Sequence, residues 1–156
     1  MEISIKKEKN AEIIAHLDCE VQKSHNEYYP ELFKPYDYET SFNLYKQSLE
    51  SPRIHCFIAY NAEIPVGFAL IAEQSILNHP LLNDRKEIFI DTIVVQKKYE
   101  SQGIGKKLLE EIKKFTTEIN LKRITLNVWD KNTHAVNFYQ KNGFKEIFSS
   151  YELHLD

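Results

Sequence analysis

The chain has 156 residues, the size of one ordinary domain, and 42% of them are hydrophobic and 28% charged. This composition excludes a disordered chain, and the lack of any run of about 18 apolar residues excludes a membrane-spanning helix. The net charge of −3 argues against a nucleic-acid binder, which needs a basic surface. The first ten residues, MEISIKKEKN, lack the apolar segment of a secretory signal, so a cytoplasmic location is expected.

The predicted elements follow from the spacing of apolar residues and from turn and capping residues. Helical spacing predicts an amphipathic helix over 104–119, and the apolar run EIFIDTIVV predicts a buried strand over 87–95. The polar segment 73–86 is expected to form a loop or a partly helical excursion. In chain order the predicted strands are 2–6, 54–60, 66–72, 87–95, 123–129 and 144–155, and the predicted helices are 10–29, 38–50, 104–119 and 133–141.

These elements predict a single domain over residues 1–156 with a mixed α/β fold. A short turn joins strands 54–60 and 66–72, which is typical of an antiparallel hairpin. The strand–helix–strand unit over 87–129 is a crossover, so its two strands should be parallel neighbours. We therefore expect a mostly antiparallel sheet with one parallel pair and helices on both faces.

A glycine-bearing turn at the start of the predicted helix 104–119 carries the main functional signal. Glycine is scarce, with 4 residues where average usage would give about 11, yet Gly103 and Gly105 stand one residue apart. Free N–H groups at a helix N-terminus favour an anion, and glycine lets a phosphate approach the backbone. The turn lacks the Ser or Thr of a P-loop and the third glycine of a dinucleotide fingerprint. These residues alone are compatible with a phosphate-binding site and with a purely structural turn.

Two motifs lie on either side of the strand predicted at 123–129. The first is the turn ESQGIG at 100–105, and the second is NTHAVNFYQKNGF at 132–144. Together they resemble the GNAT superfamily of acyl-CoA-dependent N-acetyltransferases, whose motifs are Arg/Gln-x-x-Gly-x-Gly/Ala and N-x-x-A-x-x-F-Y-x-x-x-G-F. The second motif is a full match, whereas Glu100 replaces the family's Arg or Gln.

The resemblance implies a GNAT-like fold in which the parallel strands splay apart to admit acetyl-CoA as the co-substrate. Main-chain amides of the turn would hold the pyrophosphate, and the end of strand 87–95 would meet the pantetheine arm. A carboxylate at Glu100 is unfavourable beside a pyrophosphate unless it points away. The residues implied to bind the cofactor are Ile93, Val94, Val95, Gln102, Gly103, Ile104, Gly105, Lys106, Asn132 and Tyr139.

The resemblance also implies catalytic roles. Tyr139 would lie near the sulfur of CoA and protonate the leaving thiolate, although packing of its ring is the alternative. Asp91 is the preferred general base, with Glu87 next, because an unpaired charge in an apolar strand is costly. A salt bridge or a backbone hydrogen bond is the alternative role for Asp91. Asn132 is expected to cap the helix that follows it and to hydrogen-bond CoA.

The two early predicted helices and the 73–86 segment are expected to supply the acceptor pocket. The stretch HNEYYPELFK at 25–34 resembles an H-x-x-x-x-P-x-x-F-K stretch of some small GNAT members. We therefore predict that His25, Tyr28, Tyr29 and Phe33 bind substrate, with packing as the alternative. The histidines and the 2 cysteines show no metal-ligand spacing, so no metal is predicted.

The predicted function is an N-acetyltransferase that moves the acetyl group of acetyl-CoA to a primary amine of a small molecule or peptide. The amine would attack directly in a ternary complex. The alternative is a non-catalytic CoA-binding or regulatory domain on the same fold. No nucleic-acid or membrane partner is expected, and a homodimer is common in the family.

Overall fold

The computed structural model describes residues 1–155 and divides into two compact units, Met1–Leu126 and the segment that begins at Asn127. In the first unit, 5 strands form one sheet in chain order. The strands are β1 (Ile3–Lys7), β2 (Ile54–Asn61), β3 (Ile64–Ile76), β4 (Arg85–Val95) and β5 (Ile124–Leu126). The helices are α1 (Ala11–Leu17), α2 (Cys19–Tyr28), α3 (Tyr38–Ser48) and α4 (Ile104–Glu118), and α5 (Thr133–Lys141) belongs to the second unit.

The pairing of the strands confirms the predicted fold class. Strands β1 to β4 pair antiparallel, and β4 pairs parallel with β5. The parallel pair is joined through α4, because two parallel strands need a crossover between them. The mixed α/β fold with one parallel pair is therefore present in the first unit. Within residues 1–155, no helix has the length and apolarity needed to cross a membrane.

Helices cover both faces of this sheet. On one face, α1 and α3 share a buried cluster with the sheet, in which Tyr45 meets Phe68 edge-on at 6.2 Å. On the opposite face, the ring of Phe115 from α4 lies 6.0 Å from that of Phe57 on β2. The apolar stripe predicted for α4 is confirmed, since its buried residues are Ile104, Leu108, Leu109, Ile112, Phe115 and Thr116.

The β3–β4 hairpin is longer than the sequence predicted. Residues 73–76 and 85–86, expected in a loop or a partly helical excursion, instead continue the two strands, with Glu73 opposite Ile88 and Ile76 opposite Arg85, whereas residues 77–84 do form a loop. The polar residues of the extended strands are tolerated because this end of the hairpin is largely exposed. Pairing between the strands therefore outweighs the loop-like composition.

The last two predicted strands are shortened or absent. The strand predicted over 123–129 is limited to Ile124–Leu126, and the carbonyl of Trp129 instead accepts from the amide of Asn132 at 3.0 Å in the turn before α5. The segment 144–155 forms no strand in the part that the structure describes. A strand needs a ladder partner for its backbone, and the second unit has no other strand within its described residues.

Candidate functional site

The turn between β4 and α4 adopts a conformation that depends on glycine. Gly103 caps the N-terminus of α4 with φ 80°, in the left-handed region. A Cβ atom added there would meet nothing within 4 Å, so the backbone angle rather than crowding favours glycine. Ser101, two residues earlier, is also left-handed with φ 60°.

The first N–H groups of α4 are free of protein acceptors. The amide of Lys107 donates to the carbonyl of Gly103 at 3.0 Å, which closes the first helical turn. Within residues 1–155, the amides from Gln102 to Lys106 donate no hydrogen bond to a backbone or side-chain acceptor. Such a helix end, with the positive end of the helix dipole, is suited to bind an anion.

Hydrogen bonds brace the turn from outside the helix. A carboxylate oxygen of Glu20 on α2 accepts from the amide of Lys97 at 2.8 Å. The side-chain amide of Gln102 donates to the carbonyl of Lys98 at 3.2 Å, so this side chain supports the loop as well as lying at the predicted site. A cleft of about 500 Å³ lies beside the helix end, and its lining residues are Ile3, Ile5, Gly103, Lys106, Lys107, Glu110 and Glu111.

The parallel pair ends well before β4 does. The last pair of β4 and β5 is Ile90 with Leu126, whereas β4 continues to Val95 against β3. The amide of Gln96 donates to Val66 on β3 at 2.9 Å. Since main-chain groups alternate along a strand, those of Val95 and Ile93 point to the opposite edge, where β5 has stopped.

Asp91 lies at a β-bulge in β4. Leu70 is opposite Thr92 and Ile71 is opposite Ile90, so Asp91 is the extra residue between these pairs. Its residue surface is exposed, yet desolvation by the neighbouring protein raises the pKa of its carboxyl. An elevated pKa suits a group that accepts a proton near neutral pH.

Glu87, the second candidate base, is engaged elsewhere. Its carboxylate lies 2.8 Å from Nε of Arg123 and 3.4 Å from Nε of Arg85. The hydroxyl of Thr125 on β5 also donates to it, at 3.2 Å. These contacts stabilise the start of the β4–β5 pair, so Asp91 is the better candidate.

The predicted acceptor residues at 25–33 are packed together to different degrees. The ring of His25 stacks on Phe33 at 4.7 Å, and burial lowers the pKa of this histidine. Tyr29 is buried and its ring centroid lies 6.5 Å from that of Phe33. Tyr28 is 43% exposed. His25 and Tyr29 thus pack against the ring of Phe33, and Tyr28 has the most accessible side chain of the four.

The second unit contains the other predicted motif. The side chain of Asn132 accepts from the amide of Ala135 at 3.2 Å, which confirms its role as the cap of α5. Tyr139 is half-buried between aromatic rings, 5.2 Å from Phe138 and 5.4 Å from Phe144. Burial raises the pKa of Tyr139 to about 12, so its hydroxyl remains protonated at neutral pH.

Sequence reasoning missed one charged group in the first unit. Asp18, at the junction of α1 and α2, is only 1% exposed, and burial raises the pKa of its carboxyl. The signal was present, because Asp18 lies on the helical stripe defined by Ile14 and Val21, where an apolar residue is expected.

Among residues 1–155, no three His, Cys, Asp or Glu side chains are grouped in a way that would hold a metal ion.

A family model described as the acetyltransferase (GNAT) family matches residues 19–144. The probable spermine N(1)-acetyltransferase of Bacillus subtilis subsp. natto (strain BEST195) is 33% identical over 81 residues, 51% of this chain and 52% of that protein. A second relative, the spermine/spermidine N(1)-acetyltransferase of Bacillus subtilis (strain 168), is 31% identical over 81 residues, with the same coverage. The chain thus spans about half the length of the curated relatives it matches.

Solved structures show the same fold over almost the whole chain. The tetramutant of the BH1408 protein from Bacillus halodurans has a TM-score of 0.89 at 20% identity, covering 99% of this chain and 100% of that one. Aminoglycoside N-acetyltransferase AAC(6')-Iy, in complex with CoA, has a TM-score of 0.77 at 15% identity, covering 99% and 95%. These structures show the fold, and the match to the family model shows the family. The chain belongs to the acetyltransferase (GNAT) family.

Proposed function

We propose that the chain acts as one domain over residues 1–156 and moves the acetyl group of acetyl-CoA to a primary amine of a small molecule or peptide. The observation that carries this proposal is the group of unbonded amides from Gln102 to Lys106 at the start of α4. They follow, after the turn over residues 96–101, the strand whose outer edge has no strand partner beyond Ile90 within the described residues. In a member of the GNAT family, both features suit acetyl-CoA.

The residues of the turn fit a diphosphate. Free N–H groups and the helix dipole favour negative charge, and the left-handed Gly103 has no side chain to keep the ligand away. Lys106 and Lys107 beside the helix end add positive potential. Acetyl-CoA would supply an acetyl group activated as a thioester, and the main chain of Ile93 and Val95 would hold its pantetheine arm, whereas the main chain of Val94 faces β3.

Two residues of the chain, Asp91 and Tyr139, would then each transfer a proton. Asp91 accepts a proton from the ammonium form of the acceptor, which frees the nitrogen lone pair for attack. A C–N bond forms and the C–S bond breaks, while a main-chain N–H of β4 stabilises the oxyanion. Tyr139 donates its proton to the departing thiolate and regains one from the acetylated nitrogen through solvent. The products are the N-acetylated amine, the free thiol of CoA and one released proton.

Small cationic amines are the first acceptors to test. One named relative is a probable spermine N(1)-acetyltransferase, another is a spermine/spermidine N(1)-acetyltransferase, and one structural neighbour is an aminoglycoside N-acetyltransferase. The net charge of −3 also favours a cationic acceptor over an acidic one. A test panel should include polyamines, an aminoglycoside, amino acids and a peptide with a free N-terminus.

One observation favours a second function, that of a non-catalytic CoA-binding domain. Glu100 places a carboxylate in the turn where the family motif has Arg or Gln. Its repulsion from a diphosphate would weaken binding of the cofactor. A regulatory domain can function with weak binding of CoA, whereas an enzyme must bind acetyl-CoA and also transfer its acetyl group.

Two measurements separate these functions. We expect CoA to raise the melting temperature of the protein and acetyl-CoA to release free thiol in the presence of at least one amine of the panel. A thermal shift without thiol release on any amine would favour the regulatory function. Absence of both effects would overturn both functions.

The role of Tyr139 has its own test. We expect Tyr139→Phe to lower kcat about 100-fold, because general acid catalysis contributes at least that much. Tyr151→Phe is the matched control, since Tyr151 is 92% exposed. Equal kcat values for the Tyr139→Phe variant and the wild type would show that Tyr139 only packs.

A further inference from the structure

Strand β1 forms an open edge of the sheet. It stands first in the strand order, and within residues 1–155 it pairs only with β2. Its residues are exposed or half-buried, so solvent reaches the outer edge. Such an edge presents a row of unpaired N–H and C=O groups, which is a template for a further strand.

Two hydrogen bonds identify the main-chain groups that face outward. The amide of Ala62 donates to the carbonyl of Glu2 at 3.3 Å, and the amide of Glu8 donates to the carbonyl of Cys56 at 3.1 Å. Since main-chain groups alternate along a strand, the even-numbered residues of β1 bond to β2, and the odd-numbered residues face outward. The outward-facing groups belong to Ile3, Ile5 and Lys7.

The side chains of β1 alternate between the two faces of the sheet. The ammonium nitrogen of Lys6 lies 4.7 Å from the centroid of the Tyr60 ring, which belongs to the buried cluster shared with α1 and α3. Glu2, four residues before Lys6, is exposed and lies on the same face. The side chains of Ile3 and Ile5 line the cleft beside α4 on the opposite face.

We propose that β1 pairs antiparallel with β1 of a second copy of this chain, in the register that places Ile3 opposite Ile5. A two-fold axis then passes beside Ser4, and each Ile3–Ile5 pair exchanges two hydrogen bonds through its outward-facing groups. Glu2 is opposite Lys6 in the non-hydrogen-bonded pairs, where side chains approach most closely. The dimer therefore contains two pairs of opposite charge.

Charge favours this register over its neighbours. Lysine on an edge strand commonly discourages pairing, but here each Lys6 is matched by a glutamate. A shift of the pairing in one direction places Glu2 opposite Glu8, and the shift in the other direction places Glu2 opposite Ser4. Only the proposed register pairs both charges and keeps the outward-facing groups of Ile3 and Ile5 opposite each other.

The expected dimer is weak. A single strand pair buries less than the roughly 1,600 Å² of a standard interface, so the dimer should dissociate on dilution. Strand alternation places the side chains of Ile3 and Ile5 from the second copy beside those of the first, on the face that carries α4. Pairing would thus continue the apolar wall of the cleft beside α4.

The first test uses charge. Sedimentation velocity of the whole chain over a concentration series should show a dimer that dissociates on dilution. Glu2→Lys places like charges opposite each other in both pairs and should raise the dissociation constant of the dimer roughly tenfold. Combining Glu2→Lys with Lys6→Glu restores opposite charges and should restore the wild-type constant. Glu31→Lys, at an exposed position between α2 and α3, makes the same change of charge and should have no effect.

The second test uses the backbone. Ile5→Pro removes one outward N–H and no hydrogen bond to β2, so this variant should fold and remain monomeric. A wild-type chain that stays monomeric at every concentration, or that assembles beyond a dimer, would overturn the inference. Equal dissociation constants for the wild type and Glu2→Lys would also overturn it, even if Ile5→Pro failed to fold. Dimerisation of Ile5→Pro with wild-type affinity would exclude this edge as the interface.

Discussion

The carbonyl oxygen of Val94 lies 2.6 Å from the position that a Cβ atom on Gly67 would occupy. Gly67 stands opposite Val95 in the β3–β4 ladder, so the absence of a side chain there lets the two strands approach closely. The atom that a side chain would meet belongs to the backbone and cannot rotate away. Gly67 therefore sets the position of the β4 segment that we propose to hold the cofactor.

Gly67→Ala should both destabilise the protein and weaken the binding of CoA. Overpacking of this kind costs about 1–3 kcal/mol, because the backbone of β4 must shift. Urea unfolding measures the stability, and isothermal titration calorimetry measures the affinity for CoA. Ser75→Ala, at an exposed position of the same strand, is the control and should change neither quantity. Unaltered CoA affinity in Gly67→Ala would separate this glycine from the cofactor segment.

Gly103→Ala tests the turn itself. Gly103 and Gly143 both have positive φ, 80° and 91°, and a Cβ atom at either would meet nothing within 4 Å. Each substitution to alanine should therefore cost a similar free energy of unfolding, about 1–2 kcal/mol, from the backbone alone. Only Gly103→Ala should reduce the affinity for CoA, since it alone disturbs the free amides at the start of α4. Equal effects on affinity in the two variants would argue against a diphosphate at this turn.

Glu100→Gln restores a residue type of the family motif. Removing a negative charge beside a diphosphate should increase the affinity for CoA, with the larger gain at low salt, where charges are less screened. Calorimetric titration at two salt concentrations measures the effect. Glu118→Gln, at the far end of α4, makes the same change of charge and should leave the affinity alone. Weaker binding by Glu100→Gln would show that the carboxylate supports the turn.

The stability of the protein should depend on the charge of Asp18 with a defined sign. Burial raises the pKa of this carboxyl above its ordinary value of 3.8, so the folded chain holds the proton more tightly than the unfolded chain. Ionisation at higher pH therefore costs stability. Asp18→Asn should melt at a higher temperature than the wild type at neutral pH, and the difference should vanish below pH 3.8.

Asp37 supplies a comparison of opposite sign for the same melting experiment. Its carboxylate accepts from the amide and hydroxyl of Thr40 at 2.8 and 2.6 Å, and these bonds lower its pKa. The stability that they contribute is present above pH 3.8 and is lost as the pH falls through the lowered pKa. Asp37→Asn should therefore be the less stable variant at neutral pH. If the melting temperatures of both variants shifted in the same direction, the direction of the pKa shift would be wrong for one of the two carboxyls.

Local sequence patterns predicted the parts of this protein that depend on neighbours along the chain. The stripe of α4, the bounds of α5 and its cap at Asn132 follow from side-chain spacing and capping chemistry. The turn at 100–105 could be predicted because the residues that end a strand and begin a helix are adjacent in the sequence. These features are decided within a few residues and do not require knowledge of distant partners.

Strand lengths were decided by pairing instead. The segment 73–86 has the composition of a loop, yet pairing across the β3–β4 hairpin extends both strands into it. The strand predicted at 123–129 retains only its first part, and the alternation of apolar residues after Phe144 produces no strand in the described residues. A ladder exists only where another backbone supplies the matching groups, and the sequence does not state which backbone that is.

The amino-acid sequence by itself determined the helical faces, the strand–turn–helix unit with its free amides and the motifs of the family. Only the tertiary structure decided where the β4–β5 pair stops, which residue forms the bulge, and that the carboxyl of Asp18 is buried. The physical reason is the range of the interactions. Helix propensity and capping act over one or two helical turns, whereas strand register and burial depend on residues far apart in the sequence, which meet only when the sheet and helices pack.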